Sequence, residues 1–345
     1  MSLIKYCKWL VLYLILLSAC TKNAQPDKPL SSPQVPLVTT PTLHVIATLI
    51  SPTINPVAVG TPIVNSIPVT SKIGGKLAFA YDPSGVFEIG FLDLTSGKIT
   101  QLTTSPAPGD AEPFWSYNGQ FLVFNSGRSG SGDLSIYRMK SDGSEQSLVS
   151  AVHGTDGNYS PAISPDGSLV INHSNRDGKM KIFVSNIDGS NEKALTDGSS
   201  NDITASWSPD GSTIIFSSDR TGNYALYTMK NDGSAVKLLL TVKDSALLRP
   251  RYSPDGKSIL FGIQLFGSLD YHLAIVNADG SGFHTITHGN GQFSQGTWAG
   301  NGYVIYSGRH SDYEKWQLYI MSADGSNVTR ITPDNVNFRN PSWTQ

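Results

Sequence analysis

Cysteine is almost missing from this 345-residue chain: Cys7 and Cys20 are the only two. Both lie in the first 20 residues. The remainder cannot form an internal disulfide, so any exported domain in it must rest on its own core. A strong charge of one sign is also lacking, since the formal net charge is −2. Setting aside Lys5, Lys8, Lys22, Lys28, Lys72 and Asp27, all ahead of residue 73, leaves 20 basic and 26 acidic residues, a net of −6. No Lys/Arg cluster survives, which argues against nucleic acid as a partner. The apolar run Trp9–Leu17 has nine residues, whereas a membrane-spanning helix takes roughly 20. There is no G-x-S-x-G nucleophile elbow, so α/β-hydrolase chemistry is not indicated.

What is present begins with an export signal. Lys5 and Lys8 form a short basic region ahead of the apolar run, and Leu17-Ser18-Ala19-Cys20 follows it. That tetrapeptide resembles the lipobox of bacterial lipoproteins. The resemblance implies cleavage of residues 1–19 and lipidation of Cys20. The alternative is an ordinary secretory signal that happens to contain a cysteine. Residues 20–72 read as a Pro/Thr-rich disordered stalk. They hold nine prolines (26, 29, 33, 36, 41, 52, 56, 62 and 68) and one glycine. Prolines at this density prevent helix and interrupt sheet pairing. The segment is either a spacer or a leader with no spacing role, with a maximum reach of about 3.1 Å per residue.

From residue 73 to 345 the chain repeats. Ser206-Trp207-Ser208-Pro209-Asp210-Gly211 followed by Ser212-Thr213-Ile214-Ile215-Phe216 reads as strand, tight turn, strand. Versions of it recur, with anchor positions at 115, 163, 207, 252, 298 and 343, spaced by 48, 44, 45, 46 and 45. A period in that range, with four strands per unit, is the signature of a β-propeller. With strands a to d counted outward from the channel, the b strands read Lys76–Ala80, Gln120–Asn125, Leu169–His173, Thr213–Ser217, Ser258–Gly262 and Tyr303–Ser307. Five c strands run into Asp-Gly turns at Gly143, Gly189, Gly233, Gly280 and Gly325. The chain enters on a b strand and ends on an a strand, Pro341-Ser342-Trp343. The expected fold is therefore all-β, a six-bladed β-propeller of four-stranded blades. The C-terminal strand completes the first blade and closes the ring, which removes open sheet edges.

The pattern Trp-Ser-Pro-Asp-Gly, apolar strand, Ser-x-Arg-x-Gly, then Leu-Tyr-x-Met-x-x-Asp-Gly-Ser and Leu-Thr resembles TolB-like propeller repeats. It is clearest at residues 207–241 and 298–332. The resemblance covers about 270 residues, enough for a sizeable core. It implies a binding scaffold of the bacterial envelope. The family's namesake places a small α/β domain ahead of its propeller and has no lipid anchor, whereas here the expected lipid anchor and stalk occupy that place.

Strand order sorts the connections onto two faces. The a–b and c–d turns share a lower face. The longer, variable b–c and d–a connections share an upper face, where binding usually sits. Ahead of each anchor come Glu112, Ser160, Thr204, Arg249, Gln295 and Asn340. Nearby lie Asp110, Tyr159, Asp202, Phe293, Phe338 and Arg339. The partner-binding set is Glu112, Tyr159, Arg249, Gln295, Arg339 and Asn340; the competing reading is a solvated funnel rim. Arg128, Arg176, Arg220 and Arg309 recur and are expected to pair with acidic residues of neighbouring blades, with ligand contact as the minor reading. His153, His173, His272, His288 and His310 fall at or near the upper face but share no ligand spacing. Asp166, Asp210 and Asp255 belong to turns. No catalytic motif, metal set or cofactor site is read from the chain.

The function expected is that of a non-catalytic scaffold binding an envelope protein or peptide. By resemblance, a peptidoglycan-associated lipoprotein is one such partner. The alternative is a carbohydrate-binding or metal-dependent carbohydrate-active propeller. The chain is expected to be a monomer held to a membrane by its N-terminal lipid. That membrane is either the outer membrane, facing the periplasm, or the outer face of the cytoplasmic membrane in a single-membrane bacterium.

Overall fold

The computed structural model describes residues 73–129, 133–152, 156–300, 302–311, 314–333 and 336–345. The expected signal peptide, Cys20 and the stalk lie outside the described residues. The strands run in sets. The first holds β1 (Lys76–Tyr81), β2 (Glu88–Asp93) and β3 (Ile99–Gln101). The second is β4 (Asp110–Trp115), β5 (Phe121–Ser126), β6 (Ser135–Lys140) and β7 (Ser147–Ser150). The third is β8 (Asn158–Ile163), β9 (Leu169–Ser174), β10 (Lys181–Asn186) and β11 (Lys193–Ala194). Next come β12 (Asp202–Trp207), β13 (Thr213–Ser218), β14 (Ala225–Lys230) and β15 (Lys237–Leu240). They are followed by β16 (Ser245–Tyr252), β17 (Ser258–Leu265), β18 (Tyr271–Asn277) and β19 (His284–Thr285). The last are β20 (Gln292–Ala299), β21 (Tyr303–Arg309), β22 (Gln317–Ser322), β23 (Thr329–Arg330) and β24 (Phe338–Thr344).

Each set is an antiparallel meander, and β24 pairs with β1 to supply the inner strand of the first sheet. Parallel bridges tie neighbouring sheets together, Tyr271 with Gln292 between the fifth and sixth, Phe87 with Gly109 between the first and second, and Leu134 with Gly157 between the second and third. Six hydrophobic clusters lie between consecutive sheets. One of them joins the last sheet to the first, packing Leu318, Ile320 and Ile331 against Leu77, Phe79 and Leu92. The described residues thus form a closed β-propeller ring. The inner strands β4, β8, β12, β16, β20 and β24 touch one another in that order, and β24 touches β4.

The anchor tryptophans act between blades. Trp207 buries its ring and donates its indole N–H to the Ala162 carbonyl one blade back, at 3.3 Å. Trp298 does the same to Arg251, at 3.1 Å. Large apolar area with a polar edge suits such a joint.

The lower-face turns are self-contained. The Gly211 N–H donates to the Ser208 carbonyl at 2.9 Å, and Gly211 has φ of 71°. Asp210 accepts from the Ser208 hydroxyl at 2.6 Å and the Ser212 N–H at 3.0 Å. Asp166 and Asp255 sit in the same arrangement. These carboxylates hold turns in shape. The Asp-Gly turns carry a second constraint. Gly143, Gly189, Gly233, Gly280 and Gly325 all have positive φ. A Cβ on any of them would come within 2.1–2.8 Å of a backbone carbonyl oxygen of the preceding blade. Glycine is required there for close approach as well as for the turn.

Candidate functional site: a braced central channel

All six inner strands carry a β-bulge at the same height. The register against the neighbouring strand shifts at Ala111/Phe114, Tyr159/Ala162, Ile203/Ser206, Leu248/Arg251 and Ser294/Thr297, and in β24 between Arg339 and Ser342. The first bulged residue is Glu112, Ser160, Thr204, Arg249, Gln295 or Asn340, each left-handed with φ between 48° and 58°. In four of the six the next residue is proline (113, 161, 250 and 341). A bulge suits proline, which has no N–H to offer a ladder. Left-handed backbone is uncommon outside glycine, and least expected for a β-branched residue such as Thr204. Strain of this kind persists only where the surroundings enforce it.

The enforcement runs around the ring. The Ser160 N–H donates to Glu112 Oε2 at 2.7 Å, and the Arg249 N–H to Thr204 Oγ1 at 3.1 Å. The Asn340 N–H donates to Gln295 Oε1 at 2.9 Å, and the Thr204 N–H to His173 Nδ1 at 3.3 Å. Side chains on one blade therefore satisfy the bulge of the next.

The channel is also crossed. Glu112 and Arg249 stand on opposite strands, three places apart in a ring of six, yet Arg249 Nη1 lies 3.1 Å from Glu112 Oε1. One step further down the same two strands, the Arg251 guanidinium lies over the Phe114 ring, 4.8 Å from its centroid. These two diametric contacts brace β4 against β16 and leave a cavity of about 30 Å³. That volume holds about two waters.

The electrostatics follow from burial. Burial alone would raise the Glu112 carboxyl; Arg249, the Ser160 N–H and His173 outweigh it and hold the group below the ordinary carboxylate range. Burial, with Arg249 adding and Glu112 opposing, pulls His173 down to about 4, so the ring is neutral at pH 7. Since Nδ1 accepts from Thr204, the proton sits on Nε2. Tyr159 stacks on His173 with centroids 5.4 Å apart, and burial and Glu112 push its hydroxyl up to about 12.

The six residues singled out from sequence divide into two groups. Glu112, Arg249, Gln295 and Asn340 line the central cavity. Tyr159 and Arg339 sit one residue earlier and meet aromatic partners instead. Arg339 lies over Trp316 at 4.9 Å and Phe87 at 5.6 Å. His173, Phe114, Arg251 and Asn125 were not in that set, although Asn125 donates to Glu112 Oε2 at 2.8 Å. Aligning the repeats would have flagged Phe114 and Arg251. They occupy the position filled elsewhere by Ala162, Ser206, Thr297 and Ser342.

The recurrent arginines need a correction. Their acidic partners lie in their own blades, not in neighbouring ones, although Arg176 also donates to the Ser150 hydroxyl of the preceding blade at 3.1 Å. Arg128 pairs with Asp110 at 3.1 Å and Arg220 with Asp202 at 2.8 Å. Arg176 donates to Asn158 at 2.8 Å and Arg309 to Gln292 at 2.7 Å. Each arginine follows a b strand, and each partner opens the a strand beside it, so pairing distance selects the same sheet. Aromatic faces support the guanidinium groups, as with Arg176 over Phe183 at 4.2 Å. His153 lies outside the described residues. Among those described, no group of three His, Cys, Asp or Glu side chains is placed to hold a metal.

Residues 145–345 match the TolB beta propeller domain family. The chain belongs to that family. It is 28% identical to the Tol-Pal system protein TolB of Francisella tularensis subsp. holarctica over 296 residues, 80% of this chain and 66% of that protein. Against TolB of F. tularensis subsp. tularensis the identity is 28% over 241 residues, 68% of this chain and 54% of that protein. The chain thus spans about half to two thirds of the length of these TolB relatives. The fold matches the crystal structure of TolB from Acinetobacter baumannii with a TM-score of 0.68 at 22% identity, covering 79% of this chain and 67% of that one. A putative TolB from Agrobacterium tumefaciens matches with a TM-score of 0.61 at 22% identity, covering 75% and 89%.

Proposed function

We propose that this TolB-family propeller is a non-catalytic scaffold of the bacterial envelope, lipid-anchored through Cys20, that holds a protein or peptide partner on its upper face. One observation carries the reading. Six positions share one strained backbone geometry around the channel and carry six different side chains. A purely structural ring would be served by one repeated residue, whereas a recognition surface needs different ones on a fixed frame. The braced channel leaves no room for a peptide to thread it, so the partner contacts the rim: Tyr159, Arg339 and the upper edge of the Glu112–Arg249 bridge. The relatives' name, Tol-Pal system protein, makes a peptidoglycan-associated lipoprotein the partner class of choice.

The test is crosslinking of the full-length protein in envelope extract, beside a variant carrying Glu112→Gln, Arg249→Gln and Arg339→Ala. The paired amide changes remove both charges together, so neither is left buried alone. A lipoprotein captured by the parent and lost from a folded variant supports the scaffold. Equal capture by both, or none by either, removes the upper-face reading.

A further inference from the structure

Two buried carboxylates meet between the first and second blades, with a single guanidinium beside them. Glu88 opens β2 and is 3% exposed; Asp110 opens β4 and is fully buried. Both hold the same residue of the connection that joins the two blades. The Ser105 N–H donates to Glu88 Oε1 at 2.8 Å, and the Ser105 hydroxyl to Asp110 Oδ2 at 2.7 Å. The Thr103 hydroxyl donates to Glu88 Oε2 at 2.8 Å and accepts from the Ile89 N–H at 2.9 Å. Arg128 stands 3.1 Å from Asp110. The charged and titratable groups that face Glu88 are Asp110 from β4, Arg128 from the connection after β5, and Tyr81 from β1. Two carboxylates against one guanidinium leave a surplus negative charge, and a buried charge without its own counter-charge is costly.

The sixth blade makes the same fastening without charge. Gln317 opens β22 at the register position where Glu88 opens β2. Its Oε1 accepts from the Thr332 hydroxyl at 2.7 Å, and its Nε2 donates to the Val336 carbonyl at 3.0 Å. Thr332 accepts from the Leu318 N–H at 2.9 Å, as Thr103 does from Ile89. Tying a d–a connection to a c strand therefore needs the hydrogen bonds and not the charge. A protonated Glu88 can make them: its carbonyl oxygen accepts the Ser105 N–H and its hydroxyl donates to Thr103. Burial, aided by Asp110, outweighs the Ser105 and Thr103 hydrogen bonds and the charge of Arg128, and holds the Glu88 carboxyl above its ordinary range.

We propose that Glu88 is a proton-operated latch on the upper-face connection 103–109, which it holds more firmly when protonated and more loosely when ionised. The sign follows from linkage. A carboxyl whose pKa is higher in the fastened form than in the released, water-exposed form binds its proton more tightly when fastened. Fastening therefore strengthens as the pH falls through that interval. The latch reaches the rim: the Asp110 N–H donates to the Phe87 carbonyl at 2.8 Å, and the Phe87 ring lies against Arg339. It is independent of the partner-binding surface proposed above, and neither stands or falls with the other.

Hydrogen exchange of the full chain tests it, read on peptides covering residues 103–109 and divided by the intrinsic rate at each pH. Protection should rise from pH 8 to pH 4.5, by at most about tenfold for each unit separating the two pKa values. Glu88→Gln, whose amide oxygen can take the Ser105 N–H and whose nitrogen can face Thr103, should show the high protection at every pH. Parent and variant share every other titrating group, so their difference isolates Glu88. Equal pH slopes in the two overturn the latch, as does protection that is lower in the variant at pH 8. Should the variant not fold, the parent decides alone. The chain has five glutamates, and with carboxyl-labelled glutamate one of the five NMR signals must titrate above the ordinary value of 4.5. If none does, the proposal is wrong.

Discussion

The lower-face turns and the channel bulges are both repeated around the ring, and they differ in what repeats. In the turns the side chains recur with the backbone: Ser164-Pro165-Asp166-Gly167, Ser208-Pro209-Asp210-Gly211 and Ser253-Pro254-Asp255-Gly256. In the bulges the backbone recurs and the side chains do not, running Glu112, Ser160, Thr204, Arg249, Gln295 and Asn340. A turn has one physical problem, solved by the same serine, aspartate and glycine each time. In the bulge ring only Glu112, Thr204 and Gln295 accept the N–H of the next bulge, and Arg249 crosses the shared cavity to Glu112. Internal repeats thus serve as their own alignment. A position uniform across blades is structural, and a position with uniform geometry but varied chemistry is the candidate site.

The largest test of this contrast lies in the uniform part. Trp207→Ala should cost about 3–5 kcal/mol, because it leaves a cavity between two blades and frees the Ala162 carbonyl. Urea denaturation followed by fluorescence measures it; a cost below about 1 kcal/mol would mean that the anchors do not join the blades.

A smaller effect probes the varied part. The folded pKa of His173, about 4, lies below the ordinary histidine value. The unfolded chain therefore binds a proton that the fold refuses between pH 6.5 and 4. Stability is full above about pH 6.5 and falls as the pH drops through that window, by about 3 kcal/mol. Glu112, also held below its ordinary range, adds to the loss further down with the same sign. Chemical denaturation from pH 7 to 4 should show the slope in the parent chain. His173→Gln should flatten it; an unchanged slope would remove His173 from the channel's electrostatics.

The smallest test has the opposite sign. Tyr117 stands where three other lower turns carry proline, and Asn118 accepts the Ser116 hydroxyl just as the aspartates do in those turns. Tyr117→Pro should stabilise by about 0.5 kcal/mol, through the unfolded chain. A loss would show that this turn is not equivalent to its counterparts.

The β-propeller was legible in the sequence because its signals are local. Trp-Ser-Pro-Asp-Gly, an apolar strand and Asp-Gly lie within one blade, and each is decided by backbone sterics over a few residues. The b strands read from sequence agree with β1, β5, β9, β13, β17 and β21 to within a few residues at their ends. Positions facing the channel mouth were legible too, from their place ahead of each anchor. Their roles were not. Nothing local distinguishes Arg249, which crosses the channel to Glu112 137 residues away, from Arg339, which lies over Trp316.

The sequence by itself therefore determined the repeated strands, the turns and the inner strand supplied from the C-terminus, since these depend on residue spacing and on which residues tolerate which φ. Only the tertiary structure decided that β4 and β16 face each other across the ring. It also decided that Glu112 meets Arg249, that Phe114 meets Arg251, and that the recurrent arginines find their acidic partners in their own blades. Those outcomes depend on distances between segments far apart in sequence. Such distances exist only once closure of the ring brings opposite strands within reach of a side chain.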